Sequence, residues 1–205
     1  MKSPSITGNP ANRVLRFSAT CKRILGFTLV ELLVVISIIA VLMGILFPVV
    51  SSVQQSARRA QAKNDAVQIV NSVNAYNTEY GMYPSLGSAG SDYTTPNNDN
   101  KALMDVLRGI DTKLNRRAVV FLDAPIAKEV SGRVIGGVGT DGVFYDPWGR
   151  AYQVRYDANY DNEVDNPFSN AGPDPLRKGV ISWSGGREGK FSGDLKTAGA
   201  IASWN

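Results

Sequence analysis

Glu31 is the only ionisable side chain between Phe27 and Val50, in a run of otherwise apolar and small residues. A carboxylate inside a membrane-crossing stretch is expensive and marks a functional position with a partner to find. A second set of oxygens lies at Asp157-Ala158-Asn159-Tyr160-Asp161-Asn162-Glu163-Val164-Asp165, where acceptors alternate along the chain. This spacing matches the start of an EF-hand-like loop, so calcium bound through Asp157, Asn159, Asp161 and Asp165 is the metal expectation. Asn162 stands where glycine usually turns such a loop, and asparagine tolerates the left-handed conformation. The twelfth position, where a bidentate glutamate is expected, is Phe168. Asp174 or Asp194 could complete the set in space, and a solvated acidic loop is the alternative. Histidine is absent from the chain, which removes Ser-His and Cys-His nucleophilic pairs and most zinc sites. Carboxylate-only chemistry such as glycoside hydrolysis stays formally open, and the expectation is that the protein is not an enzyme.

The elements that must position these groups follow from the hydrophobic pattern. Residues 27–50 exceed the roughly 20 needed to span a bilayer as a helix. From Val53 the pattern turns amphipathic, through Ala57, Ala60, Val67, Ile69, Val73 and Tyr76 to Tyr80, with threes and fours between them. Gly81 and Pro84 then stop it. A helix from Phe27 to about Tyr80 would be some 80 Å long at about 1.5 Å per residue. Pro48 should kink or locally melt it, with Gly44 adding flexibility. Residues 85–100 are turn formers and predict a loop. Lys101 to Leu107 predicts a short helix, and Arg116 to Leu122 and Arg133 to Tyr145 give weaker, glycine-interrupted strand signals. Tyr152, Val154 and Tyr156 alternate with Gln153 and Arg155 as in a half-buried strand, with Val180 to Trp183 as its expected antiparallel neighbour. The segment between them, 157–178, is long for a structureless connection and should carry either a function or an internal staple.

The order Gly26-Phe27-Thr28-Leu29-Val30-Glu31 ahead of the apolar run closely resembles the type IV prepilin signal, shared by pilins and by the pseudopilins of type II secretion. The resemblance implies cleavage by prepilin peptidase between Gly26 and Phe27, N-methylation of Phe27 and a role for Glu31 in assembly. Pro48 also falls where many of these helices carry a proline. A secretory signal would instead place small residues after its apolar core, and a plain anchor has no need of Glu31. Further along, Asp146-Pro147-Trp148-Gly149 suits a type I turn, and with Tyr152 it resembles the Asp-Pro-Trp-Gly-x-x-Tyr segment of the major pseudopilin. Tyr80-Gly81-Met82-Tyr83-Pro84 and the terminal Ser203-Trp204 resemble the same family. That family holds calcium in a loop near the C-terminus, but here Ser184 to Lys190 carries Arg187 and Lys190 among its glycines, so that site is not expected to transfer.

Five basic residues and no acid precede Phe27, leaving 17 Lys and Arg against 18 Asp and Glu beyond it, a mature charge of about −1. Nothing in this balance suggests nucleic-acid binding. The basic leader predicts a cytoplasmic N-terminus, with the remainder periplasmic. Cys21, the only cysteine, lies in the leader, so the mature chain would have no disulfide. The expected organisation is a leader (1–26), a transmembrane and filament-core helix (27–50), its amphipathic continuation (51–84) and an extracytoplasmic domain (85–205). The fold class is α+β, a long helix packed on a small antiparallel sheet. The resemblance implies a structural subunit of a type II secretion pseudopilus, self-assembling into a helical filament with an inner-membrane assembly platform and minor pseudopilins as partners. A type IV pilus subunit is the alternative. From another class, a binding module on the same anchor would use Tyr93, Tyr145, Trp148 and Trp183 as a stacking platform.

Overall fold

The computed structural model describes residues 27–88 and 90–205. The expected leader and the Gly26 side of the cleavage site lie outside them. The elements are α1 (Leu29–Tyr80), β1 (Tyr93–Thr94), α2 (Lys101–Leu107), β2 (Lys128–Val130), β3 (Arg133–Ile135), β4 (Gly137–Val138) and β5 (Phe144–Tyr145). They continue with β6 (Gln153–Tyr156), β7 (Phe168–Ser169), β8 (Val180–Ser184), β9 (Gly193–Asp194), α3 (Leu195–Ala198) and β10 (Ile201–Ala202). The chain divides into two compact units at Phe47/Pro48.

In the first unit, α1 is long and apolar enough to cross a membrane. Every described residue from Phe27 to Phe47 is exposed, an apolar surface that needs lipid or protein around it. The helix continues through Pro48 without the local melting expected there.

In the second unit, α1 buries Ala62, Ala66, Ile69, Val73 and Tyr76, one turn or nearly one turn apart. Val53 is 62% exposed and Ala57, Ala60 and Val67 also face outward, so the expected stripe began too early. Gly81 takes φ 70 and its N–H bonds to the Asn77 carbonyl at 2.7 Å, ending the helix where the sequence placed its stop. The buried stripe lies against an antiparallel sheet in the order β1-β6-β8-β10. In the central pair Gln153 faces Trp183 and Tyr156 faces Val180, the neighbours predicted from sequence.

The sheet is covered on both faces, which corrects the half-buried reading of β6. Tyr152, Val154, Tyr156 and Val180 join the α1 side chains in one core. Ile181, Trp183 and Ala202 join Val164, Phe168, Leu176 and Leu195 in a second. Gln153 is accordingly buried. The long connection 157–178 gives the second core Val164, Phe168, Ala171 and Leu176, and it is stapled internally. Val164 and Leu176 exchange two backbone hydrogen bonds of 2.8 and 2.9 Å, and β7 pairs in parallel with β9.

Two other expectations need correction. Residues 116–122 form no strand; the N–H groups of Phe121 and Leu122 bond instead to the Leu107 carbonyl at the end of α2. The 85–100 loop contains β1, an edge strand. Asn100, 1% exposed, ties the end of that loop to the sheet. Its amide donates to the carbonyls of Phe144 and Tyr152, and its oxygen accepts from the Phe144 N–H.

Candidate functional site

At the start of α1, the Thr28 N–H and hydroxyl both donate to Glu31 Oε2, at 2.9 and 2.8 Å, and the Glu31 N–H returns a bond to the Thr28 hydroxyl at 3.2 Å. This reciprocal pair is a capping box, whose Thr-x-x-Glu signature was readable in the sequence and was missed there. Glu31 is thus held at the positive end of the helix dipole. Oε2 takes both bonds, and Oε1 takes none among the described residues, which leaves an acceptor on the exposed side of the first turn. Phe27, three residues before Val30 in the same turn region, is 70% exposed.

The Asp-Pro-Trp-Gly turn forms as its residue types require. The Gly149 N–H closes it on the Asp146 carbonyl at 3.0 Å, with Gly149 at φ 81, where a Cβ would meet the Val134 oxygen at 2.8 Å. The Asp146 carboxylate is fully buried. Oδ1 accepts the N–H groups of Trp148 and Arg150, both at 2.9 Å, and Oδ2 accepts the hydroxyl of Ser184. Burial pushes its pKa up, against the lowering effect of these bonds and of the Arg150 charge. Ser184 also accepts the Gly186 N–H at 2.9 Å, so the turn, the end of β8 and the following glycine loop share one hub. The terminal Trp204 indole donates to the Ala171 carbonyl at 2.9 Å and packs near Trp183 and Phe168, holding the chain end to the second core.

The oxygen-rich loop after β6 is knit by its own backbone. Asp157 is buried, with Oδ1 accepting from the Asp161 N–H at 3.1 Å and Oδ2 from the Asn162 N–H at 2.8 Å. Asn162 adopts φ 65, the left-handed turn anticipated for it, and Tyr160 adopts φ 64. Asn159 bonds to Asp161, Asp161 accepts the Glu163 N–H, and Asp165 pairs with Arg155 at 3.6 Å. Among the described residues no group of three His, Cys, Asp or Glu side chains is arranged to hold a metal ion. Asp174 accepts the Asn166 N–H, and Asp194 caps α3 through the Thr197 N–H. Neither lines the cavity of about 480 Å³ beside the loop, whose acids are Asp92, Asp161, Glu163 and Asp165. Asp92 was not anticipated from sequence. Its Oδ1 is buried without a hydrogen-bond partner, and its pKa is raised by desolvation and by the charges of Asp157, Asp161 and Asp165.

The stacking platform imagined for a binding module does not form. Tyr93 and Trp183 are 8% and 3% exposed and belong to different cores. Tyr145 and Trp148 are half-buried.

No curated protein and no solved structure matches the chain. Residues 21–47 match the family model described as the prokaryotic N-terminal methylation motif, which marks a type IV prepilin-like chain and implies processing by prepilin peptidase and filament assembly.

Proposed function

We propose that the protein is a structural subunit of a type II secretion pseudopilus, cleaved after Gly26, methylated at Phe27 and assembled into a helical filament that drives export. The general pilin-like character rests on the methylation motif. The finer assignment is supported by the Asp146 turn, whose Asp-Pro-Trp-Gly-x-x-Tyr segment resembles the major pseudopilin and whose buried carboxylate organises the domain. In this reading the α1 apolar face forms the filament core, and Glu31 of one subunit meets the Phe27 amine of a neighbour. The chain then acts mechanically, anchored once in the inner membrane with its C-terminal domain periplasmic. Deleting the protein in its own cells is the test. Loss of secreted proteins with surface pili intact is the expected result, whereas loss of pili with secretion intact would favour the pilus subunit.

A calcium ion bound through Asp157, Asn159, Asp161 and Asp165 is a second element of the proposal. The unpartnered Asp92 oxygen and the excess of acids beside the loop favour a cation there. Asp165 would have to leave Arg155 to reach it.

A further inference from the structure

The second unit carries clefts of opposite charge. Two adjoining clefts, of about 400 and 230 Å³, share Arg58 and Trp148; the first adds Arg133 and the second Arg187. No carboxylate lines either cleft, and all three arginines are exposed. None of the three makes an ion pair among the described residues. The cavity beside the 157–165 loop has the reverse character, with four acids against Arg155. Its two ion pairs, Asp165 with Arg155 and Glu163 with Arg177, are both 3.6 Å long; the Asp165 carboxylate of the first and both partners of the second are open to solvent, so they neutralise it weakly.

Two independent markers separate these regions. Trp148 precedes β6, and the acidic loop begins where β6 ends. Along α1, Arg58 lines the basic clefts, whereas Tyr80 ends the helix 22 residues later, about 33 Å at about 1.5 Å per residue. Just beyond it the Tyr83 ring stacks on Tyr160 of the acidic loop at 5.7 Å, and the Tyr83 N–H donates to the Tyr160 hydroxyl at 3.0 Å. Each region also carries an exposed side chain with apolar surface. Tyr160 is 54% exposed, and Val130, which lines the larger basic cleft, is 51% exposed.

One unit with opposite poles repels its copy when like ends meet and attracts it head to tail. A head-to-tail contact that does not close generates a helical filament. We infer that the 157–165 loop of one copy docks against the Arg58, Arg133, Arg187 and Trp148 cleft of the next, so that the outer domains, as well as the helices, set the filament's register. This rests on the filament-subunit reading above and assigns it a contact surface.

The test uses the full chain in cells that process and assemble it. Cys21 precedes the cleavage site, so engineered cysteines would be the only ones in the mature chain. Ser91 lines the acidic cavity and Ser131 the basic cleft, and both are exposed. Oxidation should give a ladder of cross-linked subunits only when Ser91→Cys and Ser131→Cys are combined. Arg133→Glu with Arg187→Glu should weaken the ladder by about tenfold or more, as should Glu163→Arg, which lies in the same cavity but outside the calcium ligands proposed above, and combining the reversals should restore it. The milder Arg187→Gln and Glu163→Gln, read beside melting curves, guard against misfolding. Filaments without the ladder would overturn the inference and leave the filament reading standing. A cleaved chain that forms neither filaments nor a ladder would overturn that reading itself. Arginine reversals that leave the ladder intact would overturn the docking.

Discussion

Asp146→Ala removes the acceptor for two backbone N–H groups and for the Ser184 hydroxyl in a fully buried position. Each buried donor left without a partner costs about 1–3 kcal/mol. Removing a carboxylate that burial already disfavours offsets part of this, so we expect a net loss of about 3–4 kcal/mol. For a unit of this size each kcal/mol moves the midpoint by about 2–4 °C, which gives a drop in Tm on the order of 10 °C. Near-UV circular dichroism of the detergent-solubilised full chain reads it, because Trp148 and Trp183 sit on either side of the hub. Asp146→Asn keeps one oxygen for the Trp148 and Arg150 N–H groups and should lose less than half as much. An alanine variant melting within about 2 °C of the parent would mean that Asp146 does not hold the turn, since even one stranded donor costs about 1 kcal/mol.

Glu31→Gln retains an oxygen for Thr28 but no charge, so membrane insertion and cleavage should survive while filament assembly fails; normal assembly would reduce Glu31 to a helix cap. In the same assay Thr28→Val, which removes only the side-chain half of the cap, should assemble nearly normally, and N-terminal mass spectrometry of it should still show methylated Phe27. The Asp65 pKa is raised by burial, partly offset by the bond from the Tyr152 hydroxyl. A folded pKa above the unfolded one means that protonation stabilises, so stability should fall as pH rises from about 3.9 through the folded value. Asp65→Asn should flatten that fall and equal or exceed the parent in Tm at pH 7; a variant that melts lower there and keeps the slope would refute this. If calcium binds the 157–165 loop, a hundredfold excess over Kd adds about 2.7 kcal/mol, or roughly 5–10 °C in Tm, and Asp161→Ala should abolish the shift. Identical melting in calcium and in chelator would leave the loop a solvated acidic connection.

Local signals in the chain carried much of the architecture. The membrane-length helix, its stop at Gly81, the helix Lys101–Leu107 and the tight turn at Asp146 depend on neighbours within a few residues, where periodicity and turn chemistry act, and β6 and β8 were each legible as separate strand signals. The methylation motif is equally local, since a peptidase reads a linear segment. Burial of Gln153, the two-core division of the aromatics and the staple between Val164 and Leu176 were not legible, because they depend on what covers the second face of the sheet. Arg116 to Leu122 has strand-like residues but finds its hydrogen bonds at the end of α2, and no property of that segment alone says so. The gathering of Asp92 with the 157–165 acids, and of Arg58 with Arg133 and Arg187, joins residues tens of positions apart. A sequence determines each charge; only the folded chain, by bringing distant segments within a few ångströms, decides which charges act together.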